Sequence, residues 1–193
     1  DRIEAGTFLI ASAATLSTIT IGPVIPNHLK SVLETLEETG SKIYVNGNEI
    51  TIKTNEIKAV DIKTAPFPGF PTDLQAPFTA LMAIAKGNSE ISETIYENRM
   101  GHVDLLNKMG ASIQLVNNIA KIQGVDELKG QNLKGSDLRS TAALIIAALS
   151  AKDTSYIGGL DHLDRGYDCF ESKLNILGAN ITRNFNEQIF FNQ

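Results

Sequence analysis

Three arginines stand in short acidic knots: Arg99 in "YENRMGH", Arg139 in "SDLRS" and Arg165 in "LDRGYD". A guanidinium is a planar fork of donors that meets a phosphate or a carboxylate at two points, which the ammonium of lysine does not. Two carboxylates stand where a helix would open, Asp73 after "APFPGFPT" and Asp137 in "GSDLRS". An acid there either caps the helix by accepting its first free N–H groups or takes a proton from a substrate hydroxyl. Both readings stay open for Asp73, approached through Pro66, Pro68 and Pro71, and for Asp137, beside which Ser136 competes as the cap. Together these residues suit an anionic substrate and a proton transfer. Taken singly, each arginine would instead pair with its neighbouring acid at the surface.

Other chemistry is poorly served. His28, His102 and His162 show no metal-ligand spacing with the one cysteine and read as ordinary polar residues, so no metal is expected. Cys169 falls in an amphipathic segment rather than a basic, glycine-rich loop and reads as a structural thiol. No Walker or dinucleotide glycine pattern is present.

The 193 residues, 42% hydrophobic and 20% charged, suffice for a sizeable core. A formal charge of −5 argues against a nucleic-acid or anionic-membrane partner, both of which need a net basic face. Any anionic ligand must therefore be held by a few placed arginines. A single cysteine fits a reducing compartment, and no apolar run approaches the roughly 18 residues that would span a membrane, so the chain reads as soluble. The sequon at Asn180 is set aside because no secretion signal accompanies it. Asp1 lies directly at a helix entrance with no initiator Met, which reads as the start of a fragment.

The elements that must position these residues recur along the chain. The oily stretches "DRIEAGTFLIASAATLSTITI", "FPTDLQAPFTALMAIAKGNSEI" and "GSDLRSTAALIIAALSAKDTSYI" are led by Asp1, Asp73 and Asp137, which are 72 and 64 residues apart. A helix apolar on every side, as around "AALIIAAL", must be surrounded by protein. A second, amphipathic helix follows in each unit and ends at Gly40, Gly110 or Gly178, each suited to a left-handed C-terminal cap. Two alternating strands come next, joined by an Asn-containing turn: "SKIYV-NGN-EITIK", "SIQLV-NN-IAKIQ" and "NITRNF-NE-QIFFN". With the β-branched stretches "STITIG", "EISETI" and "TSYIGG", the unit is helix, strand, helix, strand, strand. Three such units, about 1–58, 59–124 and 125–193, predict an α/β (α+β) prism: apolar helices inside, sheets outside, an inside-out α/β barrel. Buried helices can show only their ends, and helix N-termini with free N–H groups and a positive dipole end are a natural seat for an anion.

The motifs "DRIEAGTF", "FPTDLQAPF", "ENRMGHVDLLNKMGA", "DLRSTAALIIAAL" and "DRGYDCFESKLNILGANI" occur in order over nearly the whole chain. Together they resemble the UDP-N-acetylglucosamine 1-carboxyvinyltransferase family, the bacterial enolpyruvyl transferases that open peptidoglycan synthesis. The resemblance implies a cytoplasmic enzyme of two inside-out domains with a catalytic cleft between them. It implies transfer of the enolpyruvyl group of phosphoenolpyruvate to the 3-hydroxyl of the UDP-sugar through a phosphate-bearing tetrahedral intermediate, with no cofactor. Asp73 resembles the carboxylate at the sugar 3-hydroxyl and the general base. Thr72 and the backbone around Ile95 resemble UDP-sugar contacts, and Arg99 is similar to a cleft arginine near that sugar. Arg165 resembles a phosphoenolpyruvate ligand, Arg139 a second arginine on the phosphate side, and Asp137 the acid near the reacting carbon.

Against this family pattern, everything before "DRIE" is absent: the other domain, its mobile loop with a cysteine, an arginine, and an N-terminal lysine–asparagine pair. Cys169 falls in the wrong motif to replace the loop cysteine. The family's extreme N-terminus also returns to this domain, so part of its packing is expected to be missing. The missing domain is thus an expected partner, and 1–193 alone is expected to be half of an active site. Two rivals stand beside this reading. A 3-phosphoshikimate 1-carboxyvinyltransferase-like enzyme would share the repeats and the cofactor-free chemistry, although "ENR" and "DRGY" favour the UDP-sugar enzyme. A non-catalytic binding or scaffold domain would keep the fold, against which the joint presence of Asp73, Asp137, Arg139 and Arg165 argues.

Overall fold

A computed structural model of the chain describes residues 1–184 and 188–191. The chain opens with α1 (Arg2–Ala14), β1 (Thr18–Ile21), α2 (Lys30–Glu38), β2 (Lys42–Asn46) and β3 (Glu49–Lys53). It continues through β4 (Ile62–Lys63), α3 (Gln75–Met82), β5 (Asn88–Ser92), α4 (His102–Lys108), β6 (Ser112–Val116) and β7 (Ile119–Gln123). Then come β8 (Asn132–Lys134), α5 (Leu138–Ser150), β9 (Ser155–Gly158), α6 (Leu160–Leu163), α7 (Phe170–Ile176), β10 (Ile181–Arg183) and β11 (Gln188–Phe191).

The oily stretches become the central helices. All of α3 is buried, as is α1 from Ala5 to Ala14 and α5 from Ser140 to Ala148, and the three helices pack on one another. With no polar face to turn to water, mutual burial is the arrangement that removes their apolar surface from it. The second helices behave as amphipathic ones should. In α2, Val32, Leu33 and Leu36 point inward, and Gly40, Gly110 and Gly178 close the three helices with φ of +103°, +93° and +100°.

Among the described residues the strands form three separate sheets, ordered β1-β3-β2, β4-β5-β7-β6 and β8-β9-β11-β10. This is a prism of sheets around helices, not a closed barrel. Strand alternation seats Ile50 and Ile52 inward from the first sheet, Ile91, Ala120 and Ile122 from the second, and Ile157 and Ile189 from the third. The hairpin β2–β3 pairs Val45 with Ile50, and β6–β7 pairs Leu115 with Ala120. In the third hairpin the expected "NE" turn lies outside the described residues.

The structure corrects the expected unit. Strands β4 and β8 run parallel to β5 and β9 and add a fourth strand to the second and third sheets. They are two and three residues long, too short to show an alternating pattern. The single turn α6 also lay outside the expectation. Cys169 is not inside the amphipathic helix but at its entrance, exposed, with φ of +47°.

Two of the seams between sheets are filled by the chain that crosses them. Buried Ile57 sits in the first crossing, where Ile57 O accepts from Lys86 N, Ala59 N donates to Lys86 O and Lys58 N donates to Thr39 O. Buried Leu128 repeats this in the second, with Lys152 N to Leu128 O, Gly130 N to Lys152 O and Lys129 N to Met109 O. At the third seam β1 is an edge strand. A cavity of about 380 Å³ lies there among Thr15, Ile19, Ala148, Leu177 and Phe191.

Candidate active site

The three helix entrances gather at the end of the prism away from that cavity. Gly6, in the second turn of α1, faces Leu74 at the entrance of α3, and Asp73 there is ion-paired with Arg139 in the first turn of α5. Two of the leading acids are caps. Asp1 accepts from Ile3 N at 2.6 Å and Glu4 N at 3.0 Å. Asp137, not Ser136, caps α5: it accepts from Arg139 N at 2.8 Å and Ser140 N at 3.2 Å, and the Ser140 hydroxyl reaches back to Asp137 N. Burial works to raise the Asp137 pKa, but these amides and the hydroxyls of Ser140 and Ser136 outweigh it and hold the carboxyl below its usual value.

Asp73 departs from the pattern, and the N-cap reading fails for it. The chain enters α3 through a 3-10 turn, Thr72–Leu74, with no side-chain cap. The freed carboxylate instead accepts from two arginines at the same oxygen, Oδ1: Arg139 Nε at 2.5 Å and Arg99 Nη1 at 3.2 Å. The expected pairing of each arginine with its neighbouring acid is therefore overturned. Arg99 passes over Glu97 to bind Asp73, donates to the Thr72 hydroxyl at 2.9 Å, and stacks on Tyr96 with its carbon 3.7 Å from the ring centre. Arg139 crosses to Asp73 while its amide serves the Asp137 cap.

Arg165 is exposed and, among the described residues, makes no ion pair; Asp164 beside it is taken by Arg183 at 2.6 and 3.0 Å. Its loop rests on the mouth of α5, for a Cβ on Gly166 would come 2.9 Å from Leu138 Cδ2. Two residues on, Tyr167 is buried and bonded to the Thr7 hydroxyl at 2.8 Å, which ties this loop to α1. Burial pushes its phenol up to about 12, with the charges of Asp73 and Glu4 adding to the rise and Thr7 and Arg139 opposing it. The structure thus brings Thr72, Asp73, Arg99, Arg139 and Asp137 together and sets the Arg165 loop beside α5. Ile95 is placed by its amide, which donates to Glu93.

Sequence reasoning missed Glu93. It is 3% exposed, and its carboxylate accepts from Thr64 Oγ1 at 2.9 Å, Ile95 N at 2.8 Å, Tyr96 N at 3.1 Å and Thr72 Oγ1 at 2.7 Å. A signal was present: Ser89, Ile91 and Glu93 share one face at strand spacing, so an acid followed two inward residues. His102 was also misjudged. It is wholly buried beside Gln75, and burial lowers its pKa to about 4 against the weaker upward pull of Asp137 and Glu93. Among the described residues no group of three or more His, Cys, Asp or Glu could hold a metal, and no helix is long and apolar enough to cross a membrane.

Apolar helices inside, sheets outside and a mouth of paired arginines and acids define one class of fold and site. The profile of a family described as EPSP synthase (3-phosphoshikimate 1-carboxyvinyltransferase) matches residues 1–174, and the chain belongs to that family. Within it, the chain is 70% identical over 188 residues to the UDP-N-acetylglucosamine 1-carboxyvinyltransferase of Prochlorococcus marinus subsp. pastoris strain CCMP1986, covering 97% of this chain and 41% of that protein. It is 67% identical over 190 residues to the protein of that name from Prochlorococcus marinus strain MIT 9312, covering 98% of this chain and 42% of that one. The chain therefore spans about two fifths of the length of the curated relatives it matches. Among solved structures, the enolpyruvyl transferase NikO from Streptomyces tendae superposes with a TM-score of 0.83 at 28% identity, over 92% of this chain and 43% of that one. EPSP synthase from Acinetobacter baumannii shares the fold, with a TM-score of 0.75 at 15% identity over 99% of this chain and 45% of that one.

Proposed function

We propose that the protein carrying this chain is a cytoplasmic transferase that moves the enolpyruvyl group of phosphoenolpyruvate to the 3-hydroxyl of UDP-N-acetylglucosamine and releases phosphate, an early step of peptidoglycan synthesis. The chain supplies one wall of a cleft, and a further domain of the same protein supplies the other. The observation that carries this reading is the carboxylate of Asp73, withdrawn from capping and held by two arginines at the mouth of three buried helices. A sugar hydroxyl is a poor nucleophile at neutral pH, and a fixed carboxylate that takes its proton is what the addition requires. Both arginines bind Oδ1, and Oδ2 is the oxygen that receives the proton.

In the addition, the sugar O–H bond breaks, its oxygen bonds to C2 of phosphoenolpyruvate, and the C2=C3 π pair takes up a proton at C3, so that no proton is gained or lost in net. In the elimination, the C2–O bond to phosphate breaks, the C2=C3 double bond re-forms as C3 loses a proton, and that proton leaves in net with the phosphate. Arg165 and Arg139 hold the phosphate and carboxylate charges of the donor, and Asp137 faces the positive charge that develops at C2. Thr72, Ile95 and Arg99 hold the UDP-sugar. The relatives that share more than half of this chain's residues carry the UDP-sugar name, whereas the likeness to the solved EPSP synthase of Acinetobacter baumannii is one of fold at 15% identity.

The acceptor is tested by thermal unfolding with each candidate at saturating concentration, because a ligand that binds only the folded state raises the Tm. UDP-N-acetylglucosamine should raise it and 3-phosphoshikimate should not. The reverse result would assign the protein to shikimate chemistry, and no shift with either would favour a non-catalytic role.

A further inference from the structure

Resting on the reading just given, we infer that Glu93 is a positioning residue for the nucleotide-sugar side of the site. A buried carboxylate must have its oxygens satisfied, and this one is met by four donors from three separate segments. Thr64 comes from the end of β4, Thr72 from the entrance of α3, and the Ile95 and Tyr96 amides from the loop that leads to Arg99. The polarity of the chain of bonds is fixed. Arginine can only donate, so the Thr72 hydroxyl accepts from Arg99 and must spend its own proton on Glu93 Oε2. Glu93 thereby orients Thr72, and Thr72 with Asp73 orients Arg99. Among the described residues, neither Glu93 nor Thr72 bonds to Arg139 or to the Arg165 loop, which rests on Leu138, so the network meets the donor side only at Asp73 Oδ1, shared by Arg99 and Arg139.

Glutamine is the informative replacement because it keeps the shape and breaks the polarity. If its amide nitrogen faces Thr72, the hydroxyl is flanked by two donors. If the oxygen faces Thr72, the nitrogen confronts the Ile95 and Tyr96 amides and the Thr64 hydroxyl, which are donors as well. Either orientation loosens the link to Arg99.

The test uses the full-length protein carrying this chain, with phosphate release from UDP-N-acetylglucosamine and phosphoenolpyruvate as the readout. Glu93→Gln should raise KM for the UDP-sugar at least tenfold and change KM for phosphoenolpyruvate less than twofold. Thr72→Val, which leaves the buried carboxylate in place, should do the same, and the double variant should lie within twofold of the worse single one. Equal losses toward both substrates, additive losses in the double variant, or a UDP-sugar KM within twofold of wild type would overturn the inference. If Glu93→Gln does not fold, Thr72→Val with an unchanged UDP-sugar KM overturns it alone. An inactive wild-type protein would bring down the functional reading and this inference with it, whereas an active wild type with unaffected variants brings down only the inference.

Discussion

Asp73 and Asp137 hold equivalent places in sequence and different ones in space. Asp137 caps α5, and the charge-stabilising role proposed for it separates from the cap on substitution. Asparagine is as good a cap as aspartate, so Asp137→Asn should leave the unfolding midpoint nearly unchanged. Turnover of the full-length protein should nevertheless fall about 100-fold, the scale on which a fixed charge or proton-transfer group acts. Loss of stability with turnover intact would reduce Asp137 to its cap. His102 makes a second residue-scale prediction. Its folded pKa, about 4, lies below the ordinary 6.5, so the folded state resists its protonation. The stability this preserves is complete above pH 6.5, declines as pH falls from 6.5 to 4, and then levels off. From pH 7 to 4.5 the loss is roughly 2–3 kcal/mol. Urea unfolding at both pH values should show that difference shrinking in His102→Gln, and equal differences in the two proteins would refute the assignment.

At the scale of elements, what the sequence could show was local. Gapless apolar runs marked α1, α3 and α5, glycines marked the ends of α2, α4 and α7, and Asn-centred turns marked two hairpins. Strands β4 and β8 escaped because two or three residues carry no period. The fate of Asp73 escaped for another reason: its partner Arg139 is 66 residues away, and local propensity alone assigns such an acid to a cap. Glu93 combined both difficulties, with an inward position that was legible and partners in Thr64 and Thr72 that were not. One connection is set by backbone geometry. Gly159 has φ of +90°, and a Cβ there would come 2.6 Å from Gly135 O. Gly159→Ala should therefore cost about 1–3 kcal/mol of stability, read from denaturant unfolding, by strain and by displacement of the segment that leads to the Arg165 loop. A neutral result would mean that this junction relaxes freely.

At the scale of the whole molecule, the unequal seams are informative. Ile57 with Ile62 and Leu128 with Leu133 place apolar residues five apart in an extended segment, and each segment fills one seam. The resemblance implies that the family's N-terminal segment returns to this domain, and the third seam, beside β1 and over the 380 Å³ cavity, is the place such a segment would fill. A peptide with apolar residues at that spacing should raise the Tm of 1–193 in a concentration-dependent way, and a scrambled peptide should not. Equal effects from both would argue against a specific seat. The cavity and the arginine mouth lie at opposite ends of the central helices, so a segment seated in the seam would stabilise the scaffold without occupying the site.

The most direct test of the split site is phosphate release from UDP-N-acetylglucosamine and phosphoenolpyruvate by 1–193 mixed with a separately produced remainder of the protein, with and without Asp73→Asn. Turnover that needs both parts and falls at least 100-fold in the variant is the expected result. Turnover by 1–193 alone, or an undiminished rate in Asp73→Asn, would contradict it.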